Sequence, residues 1–108
     1  MTMTTATLGL IENYSKNQNK DLDRKAKIIG VAMYDSNKDI VYWMPKPNRH
    51  HNLISELGDR FAQNFEQGFI TESMLFLRRA PAFYWATKNG QLKQKPIAAP
   101  KLYSEDLW

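Results

Sequence analysis

The sequence predicts a small single-domain α+β protein, with a mostly antiparallel sheet of two hairpins and two helices in the order β-β-α-β-β-α. The chain has 108 residues, which is enough for one modest hydrophobic core but not for two independent cores. Two pairs of apolar, strand-like segments are each divided by turn-forming residues. Each pair is followed by a segment that carries a helix start signal. This alternation indicates one layered domain.

The first 25 residues predict an N-terminal extension, and residues 26–108 predict the α+β ligand-binding domain. The extension is rich in Thr, Asn, Lys and Asp. Its apolar residues form one stripe at helical spacing: Leu8, Leu10, Ile11 and Tyr14. We therefore expect one short helix here, or an arm that docks on a partner subunit.

The first hairpin is predicted from two apolar runs. Residues 26–34, AKIIGVAMY, are apolar on both alternating sets, which is typical of a strand covered on both faces. The turn formers DSNKD follow, and residues 40–45, IVYWMP, read as a return strand that ends at a proline.

Asn48 predicts the N-cap of the first helix, from Arg49 to about Phe61. Residues 68–77, GFITESMLFL, predict two short strands around Glu72 and Ser73. A proline in the first turn and an Asn-Gly stop signal then place the second helix at about residues 79–89. One edge strand is expected near Leu102.

Composition excludes several classes of protein. The chain has no cysteine, so it has neither a disulfide framework nor a thiolate metal site, and this fits an intracellular protein. No stretch approaches the roughly 20 apolar residues that a membrane span requires, and the N-terminus lacks the features of a signal peptide. We expect a cytoplasmic protein.

Positive charge is concentrated in the second half of the chain. The net charge is +4, yet no acidic residue lies between Glu72 and Glu105. That stretch contains six cations: Arg78, Arg79, Lys88, Lys93, Lys95 and Lys101. Such a block favours phosphates or polyanions as partners. The alternative is a solvated basic face that only promotes solubility.

The two histidines do not predict a metal site. Adjacent helical side chains diverge by 100°, and no acid lies three or four positions after His50. His50 falls at the centre of the apolar stripe, which favours a buried, hydrogen-bonded structural histidine. Arg49 starts the helix, where unpaired amides and a guanidinium together suit an anion. The alternative for Arg49 is an exposed arginine without a partner.

The aromatic residues allow both packing and binding interpretations. A helical wheel places Trp85 opposite the other apolar residues of its helix, so we expect it at a subunit interface or stacked on a base. The final segment LYSEDLW suggests docking on a neighbouring subunit. Phe69 is either a core residue or a stacking platform. No Gly-rich phosphate loop is present.

Several phrases also carry a resemblance to a known family: KIIGVAMYD, RHHNLI, EQGFITES, FLRRAPAFYWATKNGQL and LYSEDLW. In that order they resemble the first family of anti-Thoeris sponges, phage proteins that sequester the cyclic ADP-ribose isomer made by a bacterial Thoeris defence system. The resemblance covers about residues 26–108. GQL followed by SEDLW is its most specific part.

The resemblance implies a non-enzymatic homo-oligomer that binds an adenine-containing nucleotide without cleaving it. It also implies a separate site for cyclic oligonucleotides. It implies that Phe69 of GFIT stacks on the base and that Arg49 of RHH is a basic residue at the pocket. The chain departs from the family pattern at Met74, usually a glycine, and at Arg78, commonly Asn or Asp. Arg78 would replace a hydrogen-bonding cap by a cation, which leaves open a different cyclic nucleotide as the ligand.

The leading hypothesis is therefore a phage immune-evasion protein that sequesters a cyclic nucleotide second messenger in the cytoplasm of an infected bacterium. It would work as a homodimer or larger assembly, with no catalytic residue, cofactor, metal or membrane contact. The predicted ligand-binding residues are Arg49, His50, Phe69, Arg78, Arg79 and Gln91. The first alternative is a small phage protein that binds nucleic acid or a host factor. The second is a phosphodiesterase acting through His50 or His51.

Overall fold

A computed structural model describes residues 8–17, 25–93 and 99–108. Its strands are β1 (Gly9–Ile11), β2 (Ile28–Asp35), β3 (Ile40–Pro45), β4 (Glu66–Thr71) and β5 (Phe76–Arg78). Its helices are α1 (Tyr14–Asn17), α2 (His50–Leu57), α3 (Asp59–Ala62) and α4 (Arg79–Lys88). A 3-10 turn spans Ser104–Asp106. The predicted α+β class, both hairpins and the second helix are confirmed.

All five strands form one antiparallel sheet in the order β1-β3-β2-β4-β5. The central strand β2 pairs with β3 through a four-residue turn and with β4 across a long connection. Val31 of β2 lies opposite Met44 on one side and Phe69 on the other. Since β2 is enclosed by both neighbours, its register fixes which residues face each side of the sheet.

The two faces of the sheet are covered differently. Helices α2, α3 and α4 and the C-terminal residues pack on the first face, over the main core that includes Val31, Leu53 and Phe69. The second face holds a smaller cluster of buried residues: Tyr14, Ala32, Val41 and Ile70. The rings of Tyr34, Trp43 and Phe76 pack against that cluster. The two-sided burial predicted for β2 is thus confirmed.

Gly68 allows β4 and β5 to lie close together. A β-carbon at this position would stand 2.1 Å from the carbonyl oxygen of Leu77 and 2.8 Å from the ring of Phe76. Because the Phe76 ring occupies the space above Gly68, the aromatic surface of the second face depends on this glycine.

The extension contains one short helix, α1, but the helix does not include Leu8, Leu10 and Ile11 as the apolar stripe predicted. Gly9–Ile11 form an edge strand instead, with Gly9 opposite Trp43 and Ile11 opposite Val41. Pairing with β3 satisfies backbone groups that would otherwise be unpaired at the sheet edge, and this outweighs a weak helical stripe. Helical structure begins only at Tyr14.

The first long helix is shorter than predicted at both ends. Its N-cap is Arg49 rather than Asn48, and the Asn52 side chain accepts the Arg49 amide at 2.8 Å. Asn48 instead donates its side-chain amide to the carbonyl oxygen of Pro45. The helix ends at Leu57 because Gly58 has a φ of 98°, a conformation outside the helical region. The separate helix α3 follows.

Trp85 does not lie opposite the buried side of α4, and the C-terminal residues pack on their own chain. Ala82 and Ala86 form the buried stripe of α4, and this rotates Trp85 into partial contact with the core, where its Nε1 donates to the carbonyl oxygen of Ala26 at 2.6 Å. The exposed aromatic residue of α4 is Tyr84. No strand forms near Leu102 within residues 99–108; Leu102 and Leu107 are buried against the same chain.

Candidate functional site

Phe69 and His50 lie together inside the core. Phe69 is 0% exposed, and its ring meets the His50 ring edge-on at a centroid distance of 5.1 Å. Enclosed in this way, the phenyl ring presents no face to a ligand. The core alternative considered for Phe69 is the one that the structure adopts.

His50 is a structural histidine, as its place on the apolar stripe predicted. It is 7% exposed, and its Nε2 donates to the carbonyl oxygen of Gly68 at 2.7 Å. Since a carbonyl can only accept, the neutral ring carries its proton on Nε2. Burial, with the nearby Arg79 cation, lowers the pKa of His50 to about 4. The imidazole is therefore neutral at physiological pH and joins α2 to β4.

Arg49 contacts the C-terminal segment, residues 99–108. Its Nη2 donates to the carbonyl oxygen of Trp108, and the Trp108 indole Nε1 donates to the carbonyl oxygen of Asn48 at 2.9 Å. The Nη1 of Arg49 is buried without a hydrogen-bond partner in the described part of the chain. These contacts connect the start of α2 to Trp108, which lies 59 positions after Arg49 and 60 after Asn48.

Arg79 holds the same C-terminal segment from the other side. Its Nη1 donates to the carbonyl oxygen of Leu102 at 2.7 Å, and its Nη2 donates to the side chain of Gln67 at 2.5 Å. The guanidinium also lies over the Tyr103 ring, 4.4 Å from the centroid. Two of the three arginines predicted to bind a ligand thus bind the backbone of their own chain.

Loss of the Arg49 guanidinium is expected to loosen the C-terminal segment. We expect Arg49→Ala to accelerate amide exchange at Leu107 and Trp108 and to lower the free energy of unfolding by about 2 kcal/mol, because a charge-assisted hydrogen bond is lost. Hydrogen exchange and urea unfolding measure both effects. Arg60→Ala, at an exposed position of α3, is the control. If Arg49→Ala leaves amide exchange normal but weakens nucleotide binding, Arg49 is a ligand-binding residue after all.

Gln91 also has a structural role. Its Oε1 accepts the Ile28 amide at 2.8 Å, and its Nε2 donates to the Ile28 carbonyl oxygen at 3.0 Å. Gln91 further lines a polar pocket of about 260 Å³. The other lining residues are Lys27, Lys46, Gly90, Leu107 and Trp108. This pocket lies apart from Arg78, so the six predicted residues do not converge on one site.

Arg78 is placed differently from the other predicted residues. Its side chain is 66% exposed and lines a cleft of about 270 Å³ on the second face of the sheet, which we call the aromatic cleft. The cleft is lined by Tyr14, Ser15, Tyr34, Phe76, Leu77, Arg78 and Pro81. Three aromatic rings and one exposed guanidinium therefore share a concave surface.

The rings of the aromatic cleft are arranged in a row. Tyr34 and Phe76 have centroids 5.8 Å apart with planes tilted by 37°, and Tyr14 meets Tyr34 edge-on, also at 5.8 Å. The phenol of Tyr34 donates to Asp39 at 2.6 Å, and this hydrogen bond raises the pKa of Tyr34 to about 12. The rings thus present an uncharged stacking surface at physiological pH.

The Arg78 guanidinium is oriented by an ion pair. Its Nε lies 2.5 Å from a carboxylate oxygen of Glu66, and this hydrogen bond raises the pKa of Arg78. A guanidinium held through Nε retains its two outer nitrogens as a donor pair suited to phosphate oxygens. Chemically, the cleft can bind a planar base beside an anionic group.

Sequence reasoning missed most of the aromatic cleft. Phe76 and Arg78 share a face of β5 by strand alternation, but Tyr34 reaches them only through the pairing of β2 with β4 and β4 with β5. Pairing between distant strands leaves no local signal in the sequence.

Among residues 8–17, 25–93 and 99–108, no group of three or more His, Cys, Asp or Glu could hold a metal ion. None of the helices in these ranges combines the length and the apolar composition of a membrane span.

The fold and the cleft together define a small α+β protein with an aromatic and arginine-lined cleft on one face of an antiparallel sheet. The comparisons with known proteins place it more narrowly. The chain belongs to the family described as phage T4 y16D protein, whose model matches residues 26–108. No curated protein and no solved structure matches the chain.

Proposed function

We propose that this phage protein binds and sequesters a cyclic nucleotide second messenger without cleaving it, and so protects the phage from a host defence. The observation that carries this proposal is the aromatic cleft, where Tyr34 and Phe76 lie beside the exposed guanidinium of Arg78. The resemblance to the anti-Thoeris sponges supports a cyclic ADP-ribose isomer as the ligand. The proposed place of action is the cytoplasm of an infected bacterium.

Binding would use stacking and fixed charge. The base packs against Tyr34 and Phe76, and the guanidinium of Arg78 binds a phosphate. Pockets for drug-sized ligands have volumes of roughly 300–1,000 Å³. At about 270 Å³, the aromatic cleft fits one base with its adjoining phosphate, and the rest of the ligand extends beyond it.

A binding role agrees with the way the chain uses its histidines. The Nε2 of His50 is hydrogen-bonded to Gly68, and the ring is buried on the side of the sheet opposite the aromatic cleft. General acid or base catalysis requires the group to reach the proton that it transfers. His51, the other histidine, is exposed on α2, which packs on that same opposite side.

We propose that the protein works as a homo-oligomer. Tyr84 and Leu10 are 63% and 48% exposed, and aromatic and aliphatic side chains of this kind are enriched in subunit interfaces. They lie on α4 and on the edge strand β1, and these are the elements we propose for subunit contacts.

Arg78→Ala is expected to weaken binding of a cyclic ADP-ribose isomer by roughly tenfold or more, since each lost charge-assisted contact is worth about 1.4 kcal/mol or above. Isothermal titration calorimetry against cyclic ADP-ribose isomers and cyclic di- and trinucleotides measures the effect. Arg60→Ala removes the same charge from α3 and should bind as the wild type does.

Two further measurements separate the alternatives. Heat-denatured complex should release intact nucleotide, whereas a phosphodiesterase would release product. Binding of a small ligand should depend weakly on salt, whereas binding to long nucleic acid weakens steeply as ionic strength rises. Turnover of the nucleotide would disprove sequestration without cleavage. Unchanged affinity in Arg78→Ala would disprove the proposed site.

A further inference from the structure

The N-terminal residues 8–17 lie outside the stretch matched by the family model, yet they form part of the sheet and of the aromatic cleft. Gly9–Ile11 extend the sheet as the edge strand β1. The chain then turns onto the second face, where Tyr14 is buried among Ala32, Val41 and Ile70. This chain therefore adds a segment to the surface that the rest of the domain presents.

Asp39, in the turn after β2, fastens this segment. One of its carboxylate oxygens accepts the Ser15 hydroxyl at 2.7 Å, and both accept the Ser15 amide at 3.1 Å. Its backbone carbonyl accepts the Tyr14 amide at 3.0 Å. The Tyr34 phenol donates to the same carboxylate at 2.6 Å. We call this set of contacts the Asp39 latch.

Tyr14 attaches the segment to the far side of the cleft. Its hydroxyl oxygen accepts the amide of Phe76 at 2.7 Å, which connects α1 to the edge strand β5. Tyr14 and Ser15 therefore form one wall, and Phe76, Arg78 and Pro81 line the cleft with them. The width of the cleft is set by a segment held at two points, Asp39 and Phe76.

We propose that residues 14–15 are the specificity-determining wall of the aromatic cleft, which leaves room for a single base with its adjoining phosphate and disfavours cyclic oligonucleotides with several bases. The inference rests on the proposed function. If the segment moved away, the cleft would open along the second face over Ala32 and Ile70, which are apolar. A second base of a larger cyclic ligand could then pack there.

Asp39→Asn tests the wall with little change in shape. Asp39 has a φ of 58°, and asparagine tolerates this left-handed conformation as well as aspartate does. The variant loses the negative charge of the carboxylate that accepts the Ser15 amide and the Ser15 hydroxyl. We expect faster amide exchange at Ser15 and Phe76, and an affinity for cyclic di-AMP that rises at least fivefold relative to that for cyclic ADP-ribose. Ser15→Ala should produce smaller changes of the same sign.

One control and one further variant define the result. Asp59→Asn removes the same charge from an exposed position of α3 and should alter neither exchange nor the affinity ratio. Tyr14→Phe removes the acceptor for the Phe76 amide, which is the second attachment point of the segment, so it should accelerate exchange at Phe76 and raise the affinity ratio in the same direction as Asp39→Asn.

The outcomes distinguish the wall from the proposed function. If the wild type binds neither these two nucleotides nor any other cyclic nucleotide of the calorimetric panel, the proposed function fails and the wall falls with it. If cyclic ADP-ribose binds normally, and Asp39→Asn frees the segment without changing the ratio, only the wall is wrong. Unchanged exchange in Asp39→Asn would show that the latch does not hold the segment, which also overturns the proposal.

Discussion

Gly68→Ala is expected to lower the free energy of unfolding by about 3 kcal/mol, the upper part of the range for overpacked cores. The added methyl group would stand 2.1 Å from the Leu77 carbonyl oxygen, a backbone atom in the paired strand. Relief requires β4 and β5 to separate, and this also displaces the carbonyl that His50 binds. The substitution thus disturbs both faces of the sheet.

Gly90→Ala is the matched comparison, since it adds the same methyl group where nothing lies within 4 Å. Gly90 has a φ of 65°, so alanine there costs about 1 kcal/mol through backbone strain alone. Urea unfolding of both variants separates the steric cost from the conformational cost. Equal losses would contradict the close approach of β4 and β5.

Stability is expected to fall by about 3 kcal/mol between pH 6.5 and pH 4 because of His50 alone. The pKa of His50 is lowered from 6.5 in the unfolded chain to about 4 in the folded protein. Protonation therefore favours the unfolded state. The stability contributed by the neutral ring is complete above pH 6.5, declines as the pH falls through this window, and is gone below about 4.

His50→Gln isolates that contribution. The glutamine amide can donate to the Gly68 carbonyl but does not titrate. Carboxylates also protonate near the lower end of this window, so the measured quantity is the difference between wild type and variant in the pH dependence of urea unfolding. His51→Gln changes the exposed neighbour and should behave as the wild type does. Parallel curves for wild type and His50→Gln would show that His50 is not buried as described.

The parts of the fold that sequence predicts well are those set by neighbouring residues. The β2–β3 hairpin follows from apolar alternation around a run of turn formers, and α4 ends at Lys88, next to the Asn-Gly signal. The strand β1 could not be predicted in this way, because its pairing with β3 spans some thirty residues. Trp85 was misplaced because the buried stripe of α4 consists of two alanines, which a hydrophobic wheel weights lightly.

The candidate site was predicted only in part, for a related reason. Positive charge was expected near the two helix starts, and Arg49, Arg78 and Arg79 lie there. What their guanidinium groups contact depends on residues far along the chain: Trp108 for Arg49 and Leu102 for Arg79. Arg78 faces the opposite side of the sheet because strand alternation in β5 places it on the same face as Phe76. A shift of one residue thus separates a structural arginine from a candidate ligand-binding one.

The structural role of Gln91 affects how related sequences should be compared. Its amide imitates a neighbouring peptide group, donating to and accepting from Ile28 at the first residue of the central strand. Asparagine, one methylene shorter, would leave two main-chain groups unsatisfied at once. A Gly-Gln pair retained across homologues would therefore record the demands of sheet assembly, although its polarity invites assignment to ligand recognition.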